Sequence, residues 1–154
     1  MEAAANQAGG RILALDLGRR RIGLALSDEL GLTAQGLTTL ERKNIRADLA
    51  GLARLAEEKQ VSRILIGYPL NMNGAEGPQT QWVRRFADDL SATTGLAVKF
   101  WDERLTTVEA GRLLRQSGIS IRKRAGAVDR LAAVILLQSY LDWQAMAQPD
   151  LTLE

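Results

Sequence analysis

Apolar residues recur along this chain with two different spacings, and these spacings predict its secondary structure. The segments 11–17 and 61–69 are apolar at nearly every position, as in strands that are buried on both faces. The segment 45–58 has apolar residues three or four positions apart, as in a helix with one buried face. Together the patterns predict strands at 11–17, 21–27, 31–40, 61–69 and 96–103, and helices at 45–58, 79–93, 107–117 and 127–147.

The order of these elements, β-β-β-α-β-α-β-α-α, predicts an α/β fold in which helices cover the faces of a mixed sheet. A short turn at 18–21 joins the first two strands, which should therefore be antiparallel. We expect one domain at 11–148, with a disordered tail before it at 1–10 and a second tail after it at 149–154. In such sheets, ligands bind at the carboxyl ends of the parallel strands.

The composition narrows the chemistry that this fold can support. The 154 residues include no cysteine and no histidine, which excludes disulfides, thiol nucleophiles, Cys/His zinc sites and imidazole bases. Catalysis would therefore depend on carboxylates, hydroxyls, Lys or Arg side chains, or a hard cation such as Mg²⁺ or Mn²⁺. We expect a cytoplasmic protein, because the chain has neither a signal-peptide pattern nor an apolar run long enough to span a membrane.

The net charge is only +2, but its distribution is uneven. Basic residues are concentrated between 104 and 130, which favours a polyanionic partner such as nucleic acid. A solvated helix face is the alternative interpretation of the same charges.

Four acids occupy positions that favour a catalytic site. Asp16 interrupts the first apolar strand, Asp102 and Glu103 end the last strand, and Asp129 lies in the first turn of the final predicted helix. An ionised carboxylate in an apolar strand is costly unless it is paired or bound to a cation. Three such carboxylates could hold two cations about 3.5–4 Å apart, as required for in-line attack on a phosphodiester.

The same acids also have structural interpretations. Asp16 could pair with Arg21, Glu103 could form a salt bridge at a strand end, and Asp129 could interact with the helix dipole. Side chains alternate along a strand, so Asp102 and Glu103 face opposite sides of the sheet. Only one of the two can therefore join the other acids. We favour Glu103.

Four motifs, taken in order, resemble the YqgF/RuvX family: LALDLGRRRIGLALSD, ILIGYPLNMNGAEGP, FWDERLTTVEA and AVDRLAAVILLQSYLD. The resemblance runs from about residue 12 to residue 142 and implies an RNase H-like fold. This fold has a five-stranded mixed sheet, with the second strand antiparallel to the others and helices on both faces. The resemblance further implies a divalent-metal nuclease whose catalytic and metal-binding acids align with Asp16, Glu103 and Asp129. Family members are described either as nucleases that mature the 5′ end of pre-16S ribosomal RNA or as dimeric, RuvC-like Holliday junction resolvases, and the motifs leave that choice open.

Other residues of these motifs are candidates for binding the nucleic acid, whether pre-rRNA or branched DNA. Glycine would let a phosphate approach the backbone, the basic side chains would bind phosphates, and amides in the loop after the fourth strand would contact sugar or base edges. A basic loop predicted at 119–125 would act as a flexible clamp. The full set is Gly18, Arg21, Asn71, Asn73, Arg104, Thr106, Arg122, Lys123 and Arg124. The structural alternatives are a turn glycine, surface ion pairs, turn hydrogen bonds and a helix cap at Thr106.

Two other functions are weaker interpretations. A phosphotransferase of the actin-like type would need a second domain, for which 154 residues are too few. A non-catalytic nucleic-acid- or ribosome-binding module would gain nothing from clustered acids where phosphates must bind. Homodimerisation is a further hypothesis, with Tyr140, Trp143 and Met146 packing either on a second copy or on their own sheet.

Overall fold

The computed structural model describes residues 10–69, 73–102 and 121–147, excluding the side chains of 121–129 and 147. Its strands are β1 (Arg11–Leu17), β2 (Arg21–Ser27), β3 (Ala34–Glu41), β4 (Val61–Tyr68) and β5 (Ala97–Asp102). Its helices are α1 (Ile45–Glu58), α2 (Pro78–Thr94) and α3 (Ile121–Ala147).

The five strands form one mixed sheet in the order β3-β2-β1-β4-β5. Strand β2 is antiparallel to β1 and β3, whereas β1, β4 and β5 run parallel. This is the predicted sheet, and β1 is its central strand.

Helices cover both faces of the sheet, and the alternation of side chains along β1 explains why this strand is apolar throughout. Leu13 and Leu15 pack under α1 and α2, on what we call the α1/α2 face. Ile12 and Ala14 pack under α3, on the α3 face. Because both faces are buried, both sets of positions must be apolar. None of the helices in the described part of the chain is long and apolar enough to cross a membrane.

Two elements begin three or more residues from their predicted starts. Strand β3 begins at Ala34 rather than at residue 31, because the Asp28 carboxylate accepts hydrogen bonds from the backbone N–H groups of Leu32 (2.7 Å) and Thr33 (2.9 Å) and closes a turn. The hydrogen bond from Thr33 is the main cause that lowers the pKa of Asp28.

The second error concerns the last helix, which begins at Ile121 rather than at residue 127. The predicted basic loop at 119–125 is therefore helical from 121 onward, so that Arg122, Lys123 and Arg124 belong to the first turns of α3. Lys, Arg and Ala are strong helix formers, and a single glycine at 126 does not stop such a run. The predicted helix at 107–117 lies outside the described residues.

Candidate active site

Asp16 lies at the carboxyl end of the central strand. It faces α3, because alternate residues of a strand share a face and Ile12 and Ala14 pack on that helix. Its partner in β2 is Gly23. On the other side, Leu15 is paired with Ile66, and the β4 residue that follows Ile66 is Gly67. Glycines thus stand in both neighbouring strands beside the half-buried Asp16.

The register of β5 distinguishes between the two acids at its end. Asp102 is paired with Tyr68, whose ring belongs to the core under α1 and α2, so Asp102 lies on the α1/α2 face. The preceding residue, Trp101, lies on the α3 face and packs its ring against Tyr140 at 5.4 Å. Asp102 thus lies on the opposite face of the sheet from Asp16, while Glu103 lies outside the described residues.

The helix that contains Asp129 covers the face on which Asp16 lies. Ala133, four residues after Asp129, is fully buried against Ile12 and Ala14 of β1. The Asp129 side chain itself lies outside the described residues. Within the described part of the chain, no three acids lie close enough together to form a metal-binding group.

The turn between β1 and β2 requires glycine at position 18. The Gly18 N–H donates to the carbonyl of Arg21 at 2.9 Å, and a Cβ at Gly18 would lie 2.6 Å from that oxygen. Turn geometry therefore accounts for this glycine, and the same bare backbone lies two residues from Asp16. Arg21 is the first residue of β2 and lies on the α3 face, because it is four positions before Ala25, which packs on that face.

Arg42, which the sequence reasoning missed, holds this turn in place. Its Nη1 donates to the Gly18 carbonyl at 3.1 Å, and its backbone N–H donates to the Arg20 carbonyl at 2.8 Å. Its Nε donates to the buried carboxylate of Asp48 at 3.0 Å. The guanidinium lies over the ring of Trp82, 5.0 Å from its centroid. Arg42 thus connects the turn after Asp16 to the starts of both α1 and α2.

One signal in the sequence pointed to this interaction. Asp48 lies four residues before Leu52, on the apolar stripe of α1, where an unpaired carboxylate would be costly. Its partner was not identifiable from the pattern, because Arg42 lies in a polar segment that resembles a solvated loop.

A cleft of about 610 Å³ opens at the carboxyl ends of β1 and β4, on the α1/α2 face of the sheet. Its inner walls include Leu17, Gly18, Gly67, Trp82 and Val83. Arg19 and Gln79, which are exposed, lie at its rim. We call this feature the Trp82 cleft.

The segment that enters α2 is tied to the end of β4. The Tyr68 hydroxyl donates to Glu76 at 3.0 Å, and Arg84 donates to the Tyr68 oxygen at 2.6 Å and to Glu76 at 3.1 Å. The hydrogen bond to Tyr68 raises the pKa of Arg84 above its ordinary value. Asn73 accepts a hydrogen bond from the Ala75 N–H at 2.9 Å, as expected of a residue that stabilises its own turn.

The structure thus places two of the candidate residues, Asp16 and Gly18, at one edge of the sheet, and Arg21 on the same face as Asp16. Asn73 lies in the segment before α2. The candidates Asn71, Glu103, Arg104 and Thr106 lie outside the described residues. The last group, Arg122, Lys123, Arg124 and Asp129, is described only as backbone of α3.

Comparison with known proteins identifies one matching family. The family described as "RuvX: Holliday junction resolvase" matches residues 10–143. A protein of Koribacter versatilis (strain Ellin345) is 55% identical over 133 residues, which cover 86% of this chain and 87% of that protein. A protein of Syntrophus aciditrophicus (strain SB) is 56% identical over 132 residues, covering 86% and 88%. Both are named "Putative pre-16S rRNA nuclease".

Two solved structures share the fold. Thermus thermophilus RuvC in complex with a Holliday junction substrate has a TM-score of 0.59 at 11% identity, covering 89% of this chain and 96% of that one. The fowlpox virus resolvase in complex with Holliday junction DNA has a TM-score of 0.54 at 13% identity, covering 90% and 99%. These likenesses confirm the predicted RNase H-like fold.

Proposed function

Because the chain belongs to the RuvX family and is a nuclease, we propose that it hydrolyses phosphodiester bonds in structured nucleic acid, with Asp16, Glu103 and Asp129 as the catalytic carboxylates. The position of Asp16 carries this proposal: it lies at the carboxyl end of the central strand, on the face that α3 covers. Helix α3 contains Asp129. The opposite orientation of Asp102 favours Glu103 as the third acid.

Two Mg²⁺ or Mn²⁺ ions held by these three acids fit the chemistry of the site. Carboxylate oxygens are the ligands that such hard cations prefer, and the residues beside Asp16 in both neighbouring strands are glycines. Bound ions of this kind lower the pKa of a coordinated water and neutralise charge on a phosphate. The chain itself holds Asp16 rigidly on a central strand. Arg21, Arg104 and the basic start of α3 attract and orient the phosphates.

The most similar relatives described above favour precursor 16S ribosomal RNA as the substrate, because both are named for that activity. The description of the family supports a second candidate, the Holliday junction. Both substrates are produced inside the cell, so we infer that the enzyme acts in the cytoplasm.

We also propose that the protein forms a homodimer through the end of α3. Tyr140 is buried against Trp101 of its own sheet and is therefore not available to a partner, whereas Trp143 and Met146 are exposed. Exposed apolar side chains next to an aromatic cluster are typical of protein interfaces.

Replacement of Asp16 by asparagine tests the assignment of the acids, and Asp102→Asn is its matched control on the opposite face. We expect Asp16→Asn to abolish Mg²⁺- or Mn²⁺-dependent cleavage of a precursor 16S rRNA fragment and a four-way DNA junction. Binding should be kept or strengthened, because the substitution removes a negative charge where phosphates bind. Asp102→Asn should cleave at the wild-type rate.

Cleavage and binding are measured side by side with both substrates, and melting temperatures establish that both variants fold. Wild-type cleavage by a folded Asp16→Asn protein would contradict the assignment. So would a loss of cleavage in a folded Asp102→Asn protein.

A further inference from the structure

The Trp82 cleft opens at the same edge of the sheet as the proposed catalytic acid Asp16, but on the opposite, α1/α2 face. Leu17, which follows Asp16, and Gly67 both line it. Its volume of about 610 Å³ is in the range of roughly 300–1,000 Å³ found for small-molecule sites. We propose that this cleft binds a single unpaired nucleobase of the substrate, stacked on Trp82; the proposal rests on the nuclease function given above.

The walls have the chemistry that a nucleobase requires. Trp82 supplies an aromatic surface, and Leu17 and Pro78 supply apolar contacts. A heterocyclic base is apolar on its two faces and polar on its edge. Base–aromatic stacking is worth roughly 1–3 kcal/mol per base and is independent of base identity.

The rim matches the polar parts of a nucleotide. The exposed Gln79 amide has both donors and an acceptor, as recognition of a base edge requires. The exposed Arg19 guanidinium at the rim could bind the phosphate of the same nucleotide. The cleft therefore combines an apolar interior with an amide and a cation at its opening.

The cleft is held in shape by contacts that need no ligand. Arg42 covers one side of the Trp82 ring and at the same time bonds to the carbonyl of Gly18. The opposite wall stays bare at Gly18, because a Cβ there would collide with the Arg21 carbonyl. A preformed site of this kind costs little ordering on binding.

Stacking on Trp82 requires a base that is not already stacked within a duplex. A base inside a helix offers only its edges, whereas loops, ends and branch points offer whole faces. The cleft therefore predicts that the bound substrate contains an unpaired nucleotide, in RNA or in DNA.

A binding cycle with the Asp16→Asn protein tests this proposal without cleavage. The probes are an RNA hairpin with a single-stranded extension and a DNA of the same sequence, each with one abasic nucleotide moved position by position along the extension. We expect one abasic position to weaken binding by roughly 5-fold or more. Trp82→Leu should weaken binding of the intact probes by a similar factor. At the responsive position, the effects of Trp82→Leu and of the abasic site on the binding free energy should be less than additive, because both remove the same contact.

Two further variants serve as controls. Trp82→Phe keeps an aromatic ring and should retain most of the affinity, whereas Phe100→Leu removes an exposed aromatic ring of β5 and should not change the abasic profile. An abasic scan with no responsive position, or additive effects of Trp82→Leu at every position, would overturn the proposal. Binding is read with EDTA present, so that no divalent cation supports cleavage. A negative result here therefore leaves the assignment of the catalytic acids untouched, and failure of that assignment leaves this cycle readable.

Discussion

Two ion pairs of nearly equal length in this protein differ greatly in burial. Arg42 and Asp48 are 3.0 Å apart, with side chains only 10% and 3% exposed. Arg84 and Glu76 are 3.1 Å apart, but their side chains are 58% and 51% exposed. Distance alone does not set the importance of such a pair, because water screens the exposed charges and competes for their hydrogen bonds.

We expect Asp48→Asn to lower the free energy of unfolding by about 3 kcal/mol, because it leaves the buried Arg42 charge without its counter-ion. Glu76→Gln should leave the unfolding midpoint almost unchanged. Urea unfolding of both variants measures the difference. Equal effects of the two substitutions would contradict the role given to burial.

Some of the site residues could be predicted individually and others could not. Asp16 is an acid in an apolar strand, so local pattern alone identified it. Arg42 was missed because its role depends on Gly18, Asp48 and Trp82, which come from three separate segments. Local patterns do not contain such contacts; only the folded chain brings them together.

At the scale of elements, the packing of α3 on β3 depends on the lack of a side chain at Gly36. A Cβ at Gly36 would lie 2.7 Å from Cγ and 2.9 Å from Cδ of Arg130, and 3.3 Å from a methyl group of Val134. Helix α3 therefore lies as close to the sheet as this glycine permits. The same helix contains Asp129, so its distance from the sheet also affects the proposed site.

We expect Gly36→Ala to lower the free energy of unfolding by about 1–3 kcal/mol, because α3 or Arg130 must move away. Gly51→Ala in α1 is the matched control. Its Cβ would meet Leu40 at an ordinary 3.6 Å, and alanine favours a helix by roughly 0.5–1 kcal/mol, so this variant should be more stable. Urea unfolding measures both, and a Gly36→Ala protein as stable as wild type would refute the close packing inferred for α3.

The bounds of the elements were predicted well where the hydrophobic period is strong. Strand β1 and helix α1 have the predicted bounds, since both are set by apolar positions that are buried in the core. The start of β3 was misplaced because a side-chain-to-backbone turn at Asp28, not hydrophobicity, determines it. The start of α3 was misplaced because its first turns are polar and have no apolar period.

At the scale of the whole molecule, the order of elements predicted a mixed sheet with helices on its faces, and the family resemblance implied that this sheet belongs to an RNase H-like fold. The structure and the comparisons confirm both the fold and the family. The face of the sheet on which each acid lies needed the register, because one residue of shift moves a side chain to the other side. That register separates Asp102 from Asp16 and favours the proposed triad.

The proposed homodimer is the remaining prediction at this scale. Trp143 is 51% exposed and lies 5.4 Å from the Trp101 ring, and Met146 is 85% exposed on the same end of α3. We expect sedimentation at micromolar concentration to give a dimer, and Trp143→Glu or Met146→Glu to give a monomer, because a charge in an apolar interface is costly. Ile45→Glu, at an equally exposed apolar position at the start of α1 on the other face of the sheet, should remain dimeric. A wild-type protein that sediments only as a monomer would remove the dimer. If Ile45→Glu dissociates the dimer while Trp143→Glu does not, the interface lies at the start of α1 rather than at the end of α3.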